Sequence, residues 1–347
     1  MSKLIAFGLA TSVLATSSVA LNANASTAYL FGGRSIGMGG ADVAQADDST
    51  AILKNPAGMG MHALGQSEGE PAGGDISLTY GSVLQPQDGQ WNVDSNQITF
   101  IGGMYGGMGA AYGCDMAHMQ TTEGSSYKVC TFSAGYGLLL SDWISIGGSL
   151  GFPSANNGDG HQQTSSKSID GTLGVILVPL NQEAELTSLE ASTYYTLRLG
   201  AAYSTEADDK LESGELVALR PERFGVGAHF SGAVATSAGI DWRFTLNGEY
   251  ERLSYLPSWG APSGEVDIVK FGGEWKLVSL FGSGVDVAFR YGENHYLSFG
   301  AGDKPEREQF YGIGLLGKHH GLDFSANELQ NVHMKGWGYT ATYSFYW

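Results

Sequence analysis

The residues of this sequence that could take part in catalysis or in metal or phosphate binding are the histidines, the cysteines and the glycine-rich run Gly32–Gly40. The eight histidines are scattered, and only His319 and His320 are adjacent. Their spacing matches no Ser-His-Asp signature, and no Cys/His spacing is typical of a zinc site. The Gly32–Gly40 run has neither a preceding strand nor a following Gly-Lys-Ser/Thr, so it is not a phosphate-binding loop. We therefore expect no enzyme, no metal site and no cofactor.

The first 25 residues have the pattern of an export signal. Lys3 is followed by an apolar stretch, Leu4 to Leu14, and then by small residues that end in Ala23-Asn24-Ala25. This order predicts a signal peptide over residues 1–25 that is removed after export, with an N-terminal membrane anchor as the alternative.

The two cysteines, Cys114 and Cys130, flank a polar segment. Export would place them in a compartment that permits disulfides. A bridge between them could then staple the base of one loop, and two separate thiols are the alternative.

The composition narrows the class of protein further. The 347 residues include 18 basic and 35 acidic side chains, a net charge of −17, which is unsuited to binding nucleic acid. The chain has 52 glycines and 11% aromatic residues but only 15% charged residues. After residue 25 there is no apolar run of about 20 residues, so we expect no transmembrane helix in the mature chain. These values favour an all-β chain of many short strands.

Residues 241–251 show the pattern that recurs along the chain. Apolar or small residues occupy one set of alternate positions: Trp242, Phe244, Leu246, Gly248 and Tyr250. Polar residues occupy the other set: Arg243, Thr245, Asn247, Glu249 and Glu251. A period of two predicts a strand with one apolar and one polar face.

Two architectures use such strands, a soluble sandwich with a buried apolar face and a membrane barrel whose apolar face meets lipid. Aromatic residues at strand ends and alternating short and long connections favour the barrel. The last residues alternate aromatics up to Trp347. That ending resembles the signal by which the barrel assembly machinery recognises its clients. The sequence thus predicts a transmembrane antiparallel β-barrel in the bacterial outer membrane.

The number of strands follows from the alternating segments. Their centres are near residues 79, 99, 109, 133, 147, 197, 214, 226, 246, 271, 288, 312, 324 and 342. This predicts about 14 strands, with 12 as the fallback if the weak segments near 109 and 214 are discounted. Residues 154–192 are read as one long outer loop. Val175, Ile176 and Leu177 would then be exposed apolar loop residues, which are typical of a ligand-binding surface, and an ordinary strand is the alternative.

Residues 26–74 do not alternate, and we expect them to form a hatch inside the barrel of residues 75–347. The segment contains a glycine-rich run, then Asp47-Asp48, then Asn55-Pro56-Ala57. The two aspartates are expected to be solvated or to pair with lumenal Arg198, Arg243 or Arg290. Asn-Pro favours a rigid turn, because proline restricts the residue before it to extended conformations.

This order of motifs resembles the amino-terminal hatch of the FadL/TodX superfamily of outer-membrane transporters for long-chain fatty acids and aromatic hydrocarbons. The resemblance implies a 14-stranded barrel plugged by the hatch and passive uptake of hydrophobic small molecules. It implies an inner pocket near the mature amino terminus, where Tyr29, Leu30 and Phe31 are the candidates, and a lateral exit beside the hatch. Outer-membrane lipid and lipopolysaccharide are the expected surroundings. An accessory role in secretion or conjugation, and a general porin, remain alternatives.

Overall fold

The computed structural model describes thirteen stretches of the chain. They are residues 32–61, 74–84, 91–102, 107–119, 126–157, 169–186, 191–210, 216–236, 241–255, 264–278, 283–299, 307–330 and 335–347. The predicted signal peptide lies outside these described residues. Within them, helices are short, and none has the length and apolar character needed to cross a bilayer.

Three short helices precede sixteen strands in the described chain. The helices are α1 (Gly33–Gly37), α2 (Ala51–Lys54) and α3 (Ala57–Met61). The strands are β1 (Gly74–Leu84), β2 (Trp91–Gly102), β3 (Gly107–Met119), β4 (Ser126–Ser141), β5 (Ile144–Asn157), β6 (Asp170–Leu186), β7 (Ala191–Ser204), β8 (Ala207–Lys210), β9 (Leu216–Arg220), β10 (Glu222–Thr236), β11 (Asp241–Tyr255), β12 (Gly264–Val278), β13 (Asp286–Phe299), β14 (Glu308–Leu316), β15 (His320–Gln330) and β16 (Lys335–Tyr346).

Fourteen of the described strands close into one antiparallel barrel. Strands β1–β7 and β10–β16 follow each other around the wall, and β8 pairs with β9 in a separate two-stranded sheet. The barrel closes where β1 pairs with β16 over ten positions, from Asp75↔Tyr346 to Leu84↔Trp337. Closure matters because an open edge in lipid would leave backbone groups without hydrogen-bond partners. The predicted 14-stranded barrel is confirmed.

One of the fourteen predicted strands was placed wrongly. Residue 214 itself lies outside the described residues, but the strands described on either side of it, β8 and β9, form a sheet separate from the barrel. Strand β6, in contrast, was read as part of a loop. Strand β6 lacks alternation because its inward residues, Ile176 and Val178, are buried in an apolar cluster with the helices inside the barrel. Its pairing is also shifted between Leu177 and Leu180. The count was right because one false strand replaced one missed strand.

The apolar faces of the strands point outward and the polar faces point inward. On β11, Thr245, Asn247 and Glu249 are buried, while Leu246 between them is 59% exposed. A soluble sandwich would show the opposite distribution, with the apolar face buried between its sheets and the polar face exposed to water. The sandwich alternative is therefore wrong, and the exposed apolar belt has the character of a lipid-facing surface.

The two ends of the barrel differ. Gly74 and Trp347 exchange backbone hydrogen bonds of 3.3 and 3.2 Å at one end, which we call the terminus end. The connections there include the two-residue turn 142–143 and residues 317–319. The opposite end, which we call the loop end, carries the β8–β9 sheet in the connection from β7 to β10.

The outward position of Leu246 gives a test of the lipid-facing belt. Leu246→Arg should destabilise the barrel in vesicles by about 2–4 kcal/mol, because the substitution places a charge in hydrocarbon. The urea midpoint of the protein reconstituted in vesicles measures this loss. Asp142→Arg, in an exposed turn, is the matched control. A Leu246→Arg effect below about 0.5 kcal/mol, as for a water-exposed site, would contradict the membrane placement.

Candidate functional site: the hatch in the lumen

The described part of the hatch, residues 32–61, crosses the inside of the barrel. Helix α1 contacts β13 to β16, whereas α2 and α3 contact β3 to β6 on the other side. All of these residues are buried except Arg34, Asp47, Asp48 and Leu53, which are partly exposed. The remainder of the predicted hatch, residues 26–31 and 62–73, lies outside the described residues. The fold that the FadL/TodX resemblance implies, a 14-stranded barrel that holds an amino-terminal hatch, is thus confirmed.

Asn55 joins two parts of the hatch to the barrel wall. It has an extended backbone and ends α2, as a residue before proline should. Its Nδ2 donates to the carbonyl oxygen of Val43 at 2.7 Å and to that of Val175 on β6 at 3.2 Å, and its Oδ1 accepts from the Ala57 amide at 3.2 Å. The side chain is completely buried. Asn55 therefore uses its donor and acceptor groups to fix the turn against the wall.

Inward-facing glycines make room for the hatch. Gly107, Gly137, Gly147 and Gly174 lie side by side on four successive strands. We call these four the glycine row. A Cβ at Gly147 would lie 2.3 Å from the Pro56 carbonyl carbon, and the other three would meet residues 55–60 at similarly short range. Any side chain in the glycine row would therefore push the hatch off the wall.

A buried ion cluster fastens the hatch to the opposite part of the wall. Its six members are Asp42 and Lys54 of the hatch and Arg223, Glu249, Glu251 and Lys270 of the wall. Each of them is at most 7% exposed. Three positive and three negative groups balance, which is the condition under which charges tolerate burial.

Lys54 is at the centre of this cluster. Its Nζ lies 2.9 Å from Glu249 Oε1, 3.4 Å from Asp42 Oδ1 and 3.5 Å from Glu251 Oε1. It also donates to the Gly40 carbonyl at 2.9 Å. Burial lowers the pKa of Lys54, but these carboxylates outweigh burial and hold the pKa above its usual range. Lys54 therefore remains charged.

The wall residues of the cluster hold the hatch backbone as well. Glu249 Oε2 accepts from the amides of Asp42 and Val43 at 3.0 and 2.9 Å. Arg223 donates to the carbonyl oxygens of Leu53 and Lys54 at 2.9 and 2.7 Å. Charge-assisted hydrogen bonds of this kind are stronger than neutral ones, so the cluster fixes the path of the hatch as well as its charge.

A second group of ions surrounds Arg34 of the hatch. Arg34 lies 2.9 Å from Asp47 and 3.4 Å from Glu274 of the wall, and Arg290 bridges Glu274 at 2.6 Å and Asp323 at 2.5 Å. The partner of Asp47 is thus Arg34, within the hatch. Of the lumenal arginines expected to pair with Asp47, Arg198 contributes through its charge, which outweighs burial together with the charge of Arg34 and holds the pKa of Asp47 below its usual value. Arg290 pairs with Glu274 and Asp323 instead.

Asp48 has a different environment from Asp47. Its carboxylate accepts hydrogen bonds from the amide and the hydroxyl of Thr50. Burial and the adjacent Asp47 raise the pKa of Asp48 to about 6, against the opposing effects of Arg34 and Thr50. Because the raised pKa means that the proton is held more tightly in the docked hatch, this carboxyl favours docking as the pH falls through 6.

The structure places the other predicted site residues as follows. Tyr29, Leu30 and Phe31 lie outside the described residues. Val175, Ile176 and Leu177 belong to β6 and not to a loop, so their assignment to an exposed loop was wrong. The physical reason is that Ile176 packs against the hatch and is fully buried.

The two cysteines are joined. A disulfide links Cys114 on β3 to Cys130 on β4, at directly paired positions. It therefore closes the β3–β4 hairpin at its loop end.

Among the described residues, no group of three or more histidine, cysteine or acidic side chains could hold a metal ion. The residues that sequence reasoning missed are the ion cluster and the glycine row. The paired inward acids Glu249 and Glu251 were visible in the strand pattern, but their partners lie far away in the sequence.

No family model and no curated protein matches the sequence. Several solved structures resemble its fold. A Pseudomonas aeruginosa FadL homologue has a TM-score of 0.48 at 9% identity, with 90% of this chain and 97% of that chain covered. The P. putida toluene transporter TodX has a TM-score of 0.45 at 11% identity, with 90% of this chain and 98% of that chain covered. The Ralstonia pickettii toluene transporter TbuX has a TM-score of 0.44 at 11% identity, with 91% of this chain and 97% of that chain covered. At these scores the likeness adds nothing to the topology and contacts described above.

Removing the charge of Lys54 tests the ion cluster. Lys54→Met leaves three buried acids with two cations, so hatch docking should weaken by about 3–5 kcal/mol. The displaced hatch should open the lumen, and single-protein conductance in planar bilayers should rise. Lys318→Met, at an exposed turn position, is the control and should change nothing. Equal conductance for both variants would argue against the ion cluster as the fastening of the hatch.

The glycine row allows a steric test. Gly147→Ala should displace the hatch, because the added methyl group overlaps the backbone of Pro56. Gly248→Ala is the matched control, since a Cβ there meets nothing within 4 Å. We expect a raised conductance for the first variant and the parent value for the second, with both proteins showing the gel mobility of a folded barrel. A closed Gly147→Ala barrel would show that the hatch does not press on the wall there.

Proposed function

We propose that the protein is an outer-membrane channel through which hydrophobic compounds, such as long-chain fatty acids or aromatic hydrocarbons, diffuse passively past an amino-terminal hatch. The observation that carries this proposal is the plug itself. Residues 32–61 cross the lumen, are almost all buried there, and are fastened to the wall by a charge-balanced ion cluster.

The plug argues against a general porin. A porin needs a water-filled bore, whereas this lumen holds buried side chains from three helices. A hydrophobic solute gains nothing from a water-filled bore, because its transfer out of water requires apolar surface. The proposal is also supported by the order of the glycine-rich run, Asp47-Asp48 and Asn55-Pro56-Ala57, which resembles that of hydrophobic-compound transporters.

The placement in the outer membrane is supported by the exposed apolar belt and by the predicted export signal. A chain that leaves the cytoplasm through a signal peptide would reach the outer membrane with its alternating strands intact, since no segment resembles a stop-transfer helix. We assign the terminus end to the periplasm and the loop end to the cell exterior, because outer-membrane barrels carry their short turns on the periplasmic side.

The first described residues of the hatch indicate where an inner pocket would be. The Gly33 amide donates to Thr342 Oγ1 on β16 at 2.7 Å, and Gly32 approaches Thr79 on β1. Residues 29–31 directly precede this point. We therefore propose that Tyr29, Leu30 and Phe31 take part in binding the substrate.

Substrate uptake tests the role of Asn55. Asn55→Ala removes three hydrogen bonds that hold the turn, and we expect a clear reduction in the uptake of labelled oleate or toluene with normal barrel insertion. Asn96→Ala, an exposed position on β2, is the matched control. The measurement compares these variants with the parent protein in a deletion strain at equal expression.

The outcomes separate the candidate functions. Large, stable currents from the parent protein in planar bilayers would support a porin and contradict the plug. Unchanged uptake of both compounds in the deletion strain, together with co-purification of secretion or conjugation components, would support an accessory role instead.

A further inference from the structure

A groove lies on the outer, lipid-facing surface of the barrel, across β14, β15, β16 and β1. Its volume is about 480 Å³ and its lining is almost entirely apolar. Tyr80, Tyr311, Phe324 and Tyr339 form its sides, and each of these rings is 43–51% exposed. We call this feature the outer groove.

Cross-strand register creates the outer groove. Ala341 is paired with Tyr80 on one side and with Phe324 on the other. Ala326 is paired with Tyr311 and with Tyr339. Each alanine thus separates two aromatic rings, and the missing side-chain volume forms the floor of the groove.

The floor is closed toward the lumen. Beneath the groove, Gly81 pairs with Thr340, Thr340 with Ser325, and Ser325 with Gly312. This ladder runs without a register shift across all four strands, so a molecule in the groove remains outside the barrel. The paired backbone of these four strands therefore lies between the outer groove and the hatch.

The groove begins at the membrane–water boundary of the loop end. The Tyr80 hydroxyl donates to Asp94 at 3.2 Å and the Tyr311 hydroxyl donates to Gln309 at 3.1 Å. Both partners lie closer to the loop end than their tyrosines, in the first residues of β2 and β14. Tyrosines with an apolar ring and a polar tip occupy this boundary in membrane proteins.

We propose that the outer groove binds one acyl chain of an outer-leaflet lipid. No charged side chain lines it, so it suits hydrocarbon and not a headgroup. Its volume falls within the roughly 300–1,000 Å³ of ligand-binding pockets. This site depends on the proposed membrane orientation and is independent of what the lumen transports.

Photocrosslinking of the full-length protein tests the site. The protein is reconstituted in vesicles of phosphatidylethanolamine and phosphatidylglycerol with a small fraction of phosphatidylethanolamine that carries a diazirine in one acyl chain. Mass spectrometry then locates the labelled peptides. We expect several-fold stronger labelling of β14–β16 and β1 than of outward residues at the same depth on β10–β12.

Filling the groove provides the decisive comparison. The double variant Ala326→Phe/Ala341→Phe should reduce labelling there to the level of the rest of the barrel. Ala134→Phe, at an exposed outward position on β4, should leave the pattern unchanged. Gel mobility checks that each variant folds.

Three results would overturn the proposal. These are even labelling around the barrel, groove labelling that persists in the filled variant, and loss of labelling on addition of excess oleate, which would make the groove a surface for cargo. Because the readout is lipid labelling, loss of transport in the uptake assay would leave this test unaffected.

Discussion

A lysine buried inside a barrel must find its countercharge, and this requirement fixes the position of the hatch. Lys54 is 1% exposed and finds Glu249 at 2.9 Å, with Asp42 and Glu251 close by. Burying an ion without such partners would cost several kcal/mol, and burying it with a balanced set removes most of that cost. In the described structure, the placement of residues 32–61 brings Lys54 of the hatch and Glu249 of the wall within 2.9 Å of each other. The plugged lumen, and the function inferred from it, follow from this match of charges.

The same contact explains two features of the composition. Glycine is abundant partly because wall positions that contact the hatch have no room for a side chain, as at Gly147 beside Pro56. Inward-facing acids such as Glu249 and Glu251 serve as partners for buried cations. The outward face is free of these demands and stays apolar, so one strand carries two unrelated sets of constraints on its two faces.

Local patterns were predictable from the sequence, and contacts between distant residues were not. The alternation of residues in β11 correctly predicted which residues share its apolar face and which share its polar face, because a period of two depends only on neighbouring residues. Strand β6 was missed because Ile176 faces the hatch and removes the alternation. The Asn55 turn was located by its motif. Its hydrogen bond to Val175 and the pairing of Lys54 with Glu249 required closure of the barrel, which brings together residues well over a hundred positions apart.

The central claim, that residues 32–61 rest against one defined part of the wall, can be measured by disulfide trapping. Ser49 Oγ of the hatch lies 2.7 Å from Thr99 Oγ1 of β2, so cysteines at these two positions would meet at bonding distance. In a variant whose own cysteines are replaced by serine, Ser49→Cys/Thr99→Cys should oxidise nearly completely in the membrane, whereas Ser49→Cys/Thr245→Cys, with its second cysteine inward on β11, should not. A Ser49→Cys/Thr99→Cys protein that stays reduced in a folded barrel would contradict the account.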